Sequence, residues 1–485
     1  MGLRVNTNIE AVRAHRNLQI NDQKMVKSLE RLSSGQKINS AADGPASLVI
    51  SENMRAQLSG LNQAIDNNET AVTLVQTAEG ALTEVSRLLV DIRQRAIHAA
   101  NDGINDEQML EADQSEIENA LSAVDRIAQT TQFGKQKLLD GSKKASGNTT
   151  GYGLEFIGAT TATQGSDKTP YTVVLNRAAT RSGMLSTGAL TQAVINAGET
   201  LTIREGGKEA SYTTSAKDTV QGAISAFSSA ATRAGLNVSI TGGPEGQLLI
   251  QHNEYGSKYG FQVRSTTAGI LSDVANVEKE VNNGLDVKGT INGESTDGNG
   301  QVLTGRRGNK MTDGLSIRYI GDASVPLDAS NGTKVGEVTV IQNALNFQVG
   351  ANKDQTVAVN LLDTSSTQMG RRVKNNSGFT SLADIDVRSQ QGAQDAISLV
   401  DQAIQELSSN RGFLGAFQKN TLESNLSSLR VASENLTAAE SSLRDVDMAQ
   451  ELTNLTKYQI LNQSATAQLA QANASPHNVL RLLNE

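Results

Sequence analysis

Apolar residues recur at helical spacing over residues 1–140 and 391–485, and not for long anywhere between. Ile9, Val12, Leu18, Met25, Leu29 and Leu32 lie mostly three, four or seven apart, which predicts the apolar face of a first helix ending near Ser33, Ser34 and Gly35. Residues 38–45 read as a linker, with Gly44 and Pro45 as the break. A second helix follows with Met54, Leu58, Leu61, Ile65 and Val72 on one stripe. From Leu82 the spacing tightens: Leu82, Val85, Leu89, Ile92 and Ala96 alternate steps of three and four, a heptad seam. Asn101, Asp102 and Gly103 make a turn. A third helix over about 106–130 turns Leu110, Ile117, Leu121 and Val124 inward and carries acidic residues in its first turns, where the helix dipole favours them.

The far end repeats the pattern. Ile397, Val400, Ile404 and Leu407 share a face, and Leu422, Leu429, Leu436 and Leu443 recur every seven residues. A loop or kink is expected between them at Asn410, Arg411 and Gly412. A last helix runs through Leu452, Leu455, Ile460 and Leu469 to about Asn473, with Pro476 beyond it.

The middle alternates with period two instead. Strands are predicted at 171–175, 201–204, 237–240, 248–251, 261–264, 338–341 and 356–361, and one helix at about 219–234. The stretch 199–264 forms a small strand–helix–strand module. Glycine follows the same division: 7 in residues 1–140, 33 in 141–390 and 3 in 391–485. Glycine opposes helix interiors through backbone entropy. Two ends that match each other but not the middle are expected to pack together, with the middle projecting as an insertion. Such a chain suits a subunit that polymerises through its termini. The outermost segments, 1–42 and 447–485, offer only one thin apolar seam against the entropy of ordering them, so they are expected to order when neighbouring copies supply more burial.

Composition narrows the function. Aromatics make up 3% of the chain and tryptophan is absent, which suits leucine and alanine seams better than a thick core. There is no cysteine, which excludes disulfides, cysteine nucleophiles and thiolate metal sites. Net charge is −8, although residues 1–40 carry seven basic against three acidic side chains. Those basic residues are scattered and lack aromatic company, so no nucleic acid is expected as a partner. No apolar run approaches the ~20 residues that span a bilayer, so no membrane insertion is expected. Nothing at the N-terminus resembles a secretory signal, so any export is expected to use a route without a cleaved leader. His15, His98, His252 and His477 show no metal spacing, and Gly151–Gly153 and Gly298–Gly300 complete no phosphate loop. No catalytic constellation appears. The expectation is a structural protein, not an enzyme, with no cofactor and no metal.

Particular segments carry a resemblance. They are Val5 to Asn8, Glu30 to Gly35, Ile38 to Ala41, Thr77 to Leu82 and Gln132 to Leu139. At the other end they are Leu414 to Gln418, Glu434 to Leu436, Leu443 to Asp445, Gln459 to Leu461, Leu469 to Asn473 and Val479 to Leu483. In this order and at both ends, the chain resembles the bacterial flagellins. Glu254, Tyr255, Gly256 and Ser257 resemble part of an insert found in flagellins and hook-associated proteins, and Leu345 to Asn352 resembles the segment where the chain re-enters the inner domain.

The resemblance implies a multi-domain fold: an α-helical coiled-coil and bundle core made from both termini, with an inserted, strand-rich α+β outer domain. The implied domains are a terminal coiled coil (D0) of 1–42 plus 447–485, a helical bundle with short β-hairpins (D1) of 43–170 plus 341–446, and a surface-exposed insert of 171–340. The implied function is the subunit of the extracellular flagellar filament, serving motility; the alternative is a hook–filament junction protein. Implied partners are other copies of the chain, an export chaperone at the C-terminal helix, the type III export apparatus, and the filament cap and hook-associated proteins. The implied polymerisation residues are Ile9, Leu18, Leu29 and Leu32 against Leu452, Leu455, Ile460 and Leu469. In many flagellins the helix equivalent to the one holding Asp91, Arg93 and Arg95 engages an innate immune receptor. Arg93 matches those relatives, but arginine and leucine stand there where this chain has Asp91 and Arg95, so weak receptor activation is expected.

Overall fold

The computed structural model describes residues 8–243, 246–321, 328 and 330–483, and for 475–483 the backbone course alone. The motif residues Val5 to Thr7, and the side chains of the Val479 to Leu483 motif, lie outside what is described. Eight α-helices are present among the described residues: α1 (Ile9–Ser34), α2 (Pro45–Ala99), α3 (Glu107–Thr130), α4 (Gln192–Asn196), α5 (Val220–Arg233), α6 (Gln390–Phe417), α7 (Ser424–Arg444) and α8 (Met448–Leu483). Contacts divide the chain into two compact units. One comprises Met1–Thr83, Asn346–Val357 and Ser408–Glu485; the other comprises Glu84–Leu345 and Ala358–Leu407.

The helix ends follow from local chemistry. The Asn8 side chain accepts from the Ala11 N–H and starts α1, and Gly35 ends it in the left-handed conformation at φ 71°. Asp106 caps α3 by accepting from the Met109 N–H. Within α2, Leu61, Ala64, Asn68, Ala71, Val75, Ala78, Leu82, Val85, Leu89, Ile92, Ala96 and Ala99 form one unbroken heptad line, all buried except half-buried Leu61. The seam therefore begins some twenty residues before Leu82, where the large residues alone had located it. Three alanines and one asparagine make up most of its first half. The buried Asn68 amide is satisfied by the carbonyls of Ala64 and Val349.

Two expectations for the C-terminal helices are corrected. No kink occurs at Asn410–Gly412: α6 passes straight through. A glycine inside a helix costs only about 1 kcal/mol against alanine, and here Arg411 bonds Glu79 and Thr83 while Leu414 is fully buried. The irregularity comes later, as a π-helical turn at Gln418–Glu423, where buried Phe417 and Leu422 stand five apart and the buried line shifts by about a residue. The last helix does not stop at Asn473 but continues through position 476 to Leu483.

The second unit holds the strand-rich middle. An antiparallel eight-stranded sheet has the spatial order Ser146–Gly151, Thr333–Ile341, Tyr171–Arg177, Lys288–Ile291, Glu294–Asn299, Val302–Gly305, Ser316–Tyr319 and Leu154–Gly158. Its two outer strands are consecutive in the chain, and the Thr149 hydroxyl donates to the Leu154 carbonyl, so the sheet curls back on itself. Inside lie Val173, Leu175, Ile291, Leu303, Ile317, Val338 and Val340. The 199–264 module has its own core, with Phe227 of α5 against Leu201, Ile203, Ile240, Ile250 and Phe261. All seven predicted strand segments are present. The charged hairpin partner Lys208–Thr213 was not predicted; it pairs with Thr200–Glu205 through a turn at Gly206 and Gly207, both at positive φ.

Candidate functional site

The terminal helices α1 and α8 pack on each other along a seam of unusual composition. On α1 the inward positions are Ala11, Ala14, Leu18, Asn21, Met25, Ser28 and Leu32. On α8 they are Glu451, Leu455, Tyr458, Asn462, Ala465, Leu469 and Ala472. Both series step by three and four throughout, so the pair is a two-helix heptad zipper. Ala14, Ser28, Glu451, Leu455, Ala465 and Ala472 are the buried members. Most are small or polar.

Polar contacts fix the pairing. The Ser28 hydroxyl donates to the Glu451 carboxylate, and Arg31 stands 3.9 Å from that carboxylate's other oxygen. Asn8 donates to the Ala472 carbonyl at 2.7 Å, closing the far end. The Lys24 ammonium lies 5.9 Å from the Tyr458 ring centroid.

At the other end a joint ties the pair to the body of its unit. The Lys37 N–H donates to the Arg444 carbonyl and the Val446 N–H to the Gly35 carbonyl, a short antiparallel bridge. The Arg444 guanidinium, largely buried, reaches Gln36, Ser51 and Glu52. Lys27 pairs with Asp43 at 2.6 Å, and this contact, with the Ser40 hydroxyl, holds the Asp43 carboxyl well below the usual carboxylate range.

The eight residues expected to pack within and between subunits divide into two groups. Leu18, Leu32, Leu455 and Leu469 lie in the seam. Ile9, Leu29, Leu452 and Ile460 do not: they are 50%, 47%, 58% and 58% exposed. Val12, Ile20, Val26, Met448 and Leu461 are exposed with them. The reason is geometric. Only two of every seven positions face a single partner helix, and α1 and α8 give more than half of those positions to alanine, asparagine, serine and glutamate. Reading alanine as apolar in a strict three–four step would have found the seam's apolar members, though not Asn21, Ser28, Glu451 and Asn462.

The segment at Asp91, Arg93 and Arg95 lies on α2 and is committed within the chain. Asp91 is 3.6 Å from Arg87, Arg93 chelates Asp401 through two nitrogens, and Arg95 pairs with Glu116 and approaches Asp113. Among the described residues, no group of three or more His, Asp or Glu is placed to hold a metal, and no helix is long and apolar enough to cross a membrane.

Comparison with known proteins adds a family. Residues 5–144 match the bacterial flagellin N-terminal helical region and residues 397–483 the bacterial flagellin C-terminal helical region. Flagellin B of Helicobacter pylori is 32% identical over 533 aligned positions that span 100% of both chains. A flagellin of Clostridium tyrobutyricum is 32% identical over 474 positions, 97% of this chain and 98% of its own. The B-type flagellin of Pseudomonas aeruginosa is 31% identical over 493 positions, again spanning both chains in full.

Proposed function

The chain belongs to the bacterial flagellins, and from that premise we propose that α1 and α8 are the elements through which its copies join. It is a structural subunit of the extracellular flagellar filament, and its helical termini frame a strand-rich middle. Relatives matched along their whole length are flagellins, which sets aside the hook–filament junction alternative.

One observation supports the assembly reading above others: the apolar side chains left outside the α1/α8 seam. A helix pair whose seam holds alanines and a serine–glutamate contact, while Ile9, Leu29, Leu452 and Ile460 face outward, has its main apolar surface unsatisfied. Burying such a residue is worth about 1.5–3 kcal/mol. Copies packed side by side would recover that for each. Leu18, Leu32, Leu455 and Leu469 then hold the pair within one subunit, and the outward four hold subunits together. In this reading 1–42 with 447–485 is the innermost layer, 43–170 with 341–446 surrounds it, and 171–340 faces solvent.

The partners follow the same logic. An export chaperone would shield the apolar face of α8 before assembly, the type III export apparatus would pass the chain unfolded, and cap and hook-associated proteins would meet the two ends of the filament. The absence of cysteine suits such passage. The test is deletion of 447–485: the remaining chain is expected to stay soluble and to form no filaments under salting-out. Filaments from that truncation, seen by electron microscopy, would overturn the assignment.

A further inference from the structure

Two separate surfaces of the second unit complement each other. The first is the turn between α2 and α3. Ile104 is 72% exposed there, more than any other large apolar residue among those described. The turn is held in shape: the Ile104 N–H donates to the Asn101 carbonyl, the Asn105 amide to the His98 carbonyl, and Asp106 caps α3. Asp102 and Glu107 flank Ile104 and are exposed.

The second surface is a cleft of about 490 Å³ beside the strand Ser146–Gly151. Half-buried Phe156, Ile157 and Leu362 give it an apolar wall, and Lys144 and Arg371 also line it. Its two acids are engaged within the chain: Asp363 accepts from the Ser365 N–H and hydroxyl, and Glu406 from Gln402 and the Gly370 N–H. Arg371 donates only to the neutral Gln368 amide among the described contacts, and Lys144 shows no acidic partner there. Beside it Arg372 is held at φ 69°, a conformation costly for a residue with a Cβ, by bonds to Glu155 and the Phe156 carbonyl. The cleft wall is therefore set before anything enters.

We propose that the 102–107 turn of one copy docks in this cleft of a neighbouring copy, with Ile104 against Phe156, Ile157 and Leu362, and Asp102 and Glu107 against Lys144 and Arg371. The match is apolar to apolar and acid to base. It also joins two different patches, and a heterologous contact of that kind passes from copy to copy, which an open helical array requires and a two-fold dimer does not. The inference rests on the filament reading and names one of its contacts.

The cysteine-free chain allows a clean test. Ile104→Cys and Leu362→Cys chains are each polymerised alone and as an equimolar mixture, then treated with a short bis-maleimide. Covalent dimers in the mixed filaments, and none in either pure filament, support the contact. Mixed filaments without dimers overturn it while leaving the filament reading intact; failure of the unaltered chain to polymerise would instead sink that reading. A second pair guards against poor assembly of the cysteine variants. Asp102→Lys with Glu107→Lys should raise the critical concentration at least tenfold, and adding Lys144→Glu with Arg371→Glu should return it to within about threefold. No rescue by the second pair overturns the proposal.

Discussion

Ser28 donates its hydroxyl hydrogen to Glu451 across the α1/α8 seam, joining residues 423 positions apart in the chain. Both are buried. A polar layer inside a heptad zipper weakens it but favours one alignment, because sliding the helices takes the buried Glu451 carboxylate away from the Ser28 hydroxyl and from Arg31. Ser28→Ala should therefore cost about 1–3 kcal/mol, the usual penalty for an unsatisfied buried group. A lower filament melting temperature is the readout. Ser28→Ala with Glu451→Leu should regain that loss, but its filaments should show mixed helical parameters in electron micrographs. A Ser28→Ala filament that melts with the parent would refute this role.

The outward face of the pair gives a separable prediction. Leu452→Asp and Ile460→Asp place charge where the single chain has only solvent, so helicity of the dilute monomer should stay within a few per cent by circular dichroism. Polymerisation should fall at least tenfold, since each aspartate would have to be desolvated in a packed tube. Normal assembly of the double variant would remove these positions from the interface.

The thinness of the seam predicts marginal order in a lone copy. Amide exchange on dilute monomer should be fast over α1 and α8 and slow along the α2 heptad line. In filaments both terminal helices should become protected. Strong protection of α1 and α8 in the monomer would contradict this.

Asp286 predicts an acid sensitivity of the second unit. Burial pushes its carboxyl up, but hydrogen bonds from the Ser257 hydroxyl and N–H and the Gly300 N–H, with Arg177 nearby, outweigh that and hold it below its ordinary value. These bonds tie Ser257 of the 199–264 module to the eight-stranded sheet. A depressed carboxylate contributes stability that is complete above its unfolded value of about 3.9 and is lost as pH falls through the folded value. Asp286→Asn should flatten the dependence of urea midpoints on pH below about 4, and a profile unchanged by the substitution would count against it.

Receptor recognition is the last prediction. Asp91 and Arg95 are spent on Arg87 and Glu116, and Arg93 on Asp401. Soluble monomer should activate an innate-receptor reporter weakly, and Asp91→Arg with Arg95→Leu should raise potency at least tenfold. Full potency of the unaltered chain would contradict the reading.

The helical ends, the strand-rich middle and the heptad from Leu82 to Ala96 were determined by the sequence alone. Each rests on a periodicity that the local chain imposes, three and a half residues or two, whatever packs against it. The caps at Asn8 and Asp106 and the stop at Gly35 are equally local. Tertiary structure decided which residues occupy the seams. Ala14, Ser28, Glu451, Ala64 and Asn68 are unremarkable in composition, and they are buried because a particular partner helix comes close there. Ile9, Leu29, Leu452 and Ile460 look like core and lie outside, because a helix with one partner can cover only one face. The clamp at Asp286 and the straight passage of α6 through Gly412 have the same origin: each depends on a contact between residues distant in the chain, and local periodicity carries no record of such contacts.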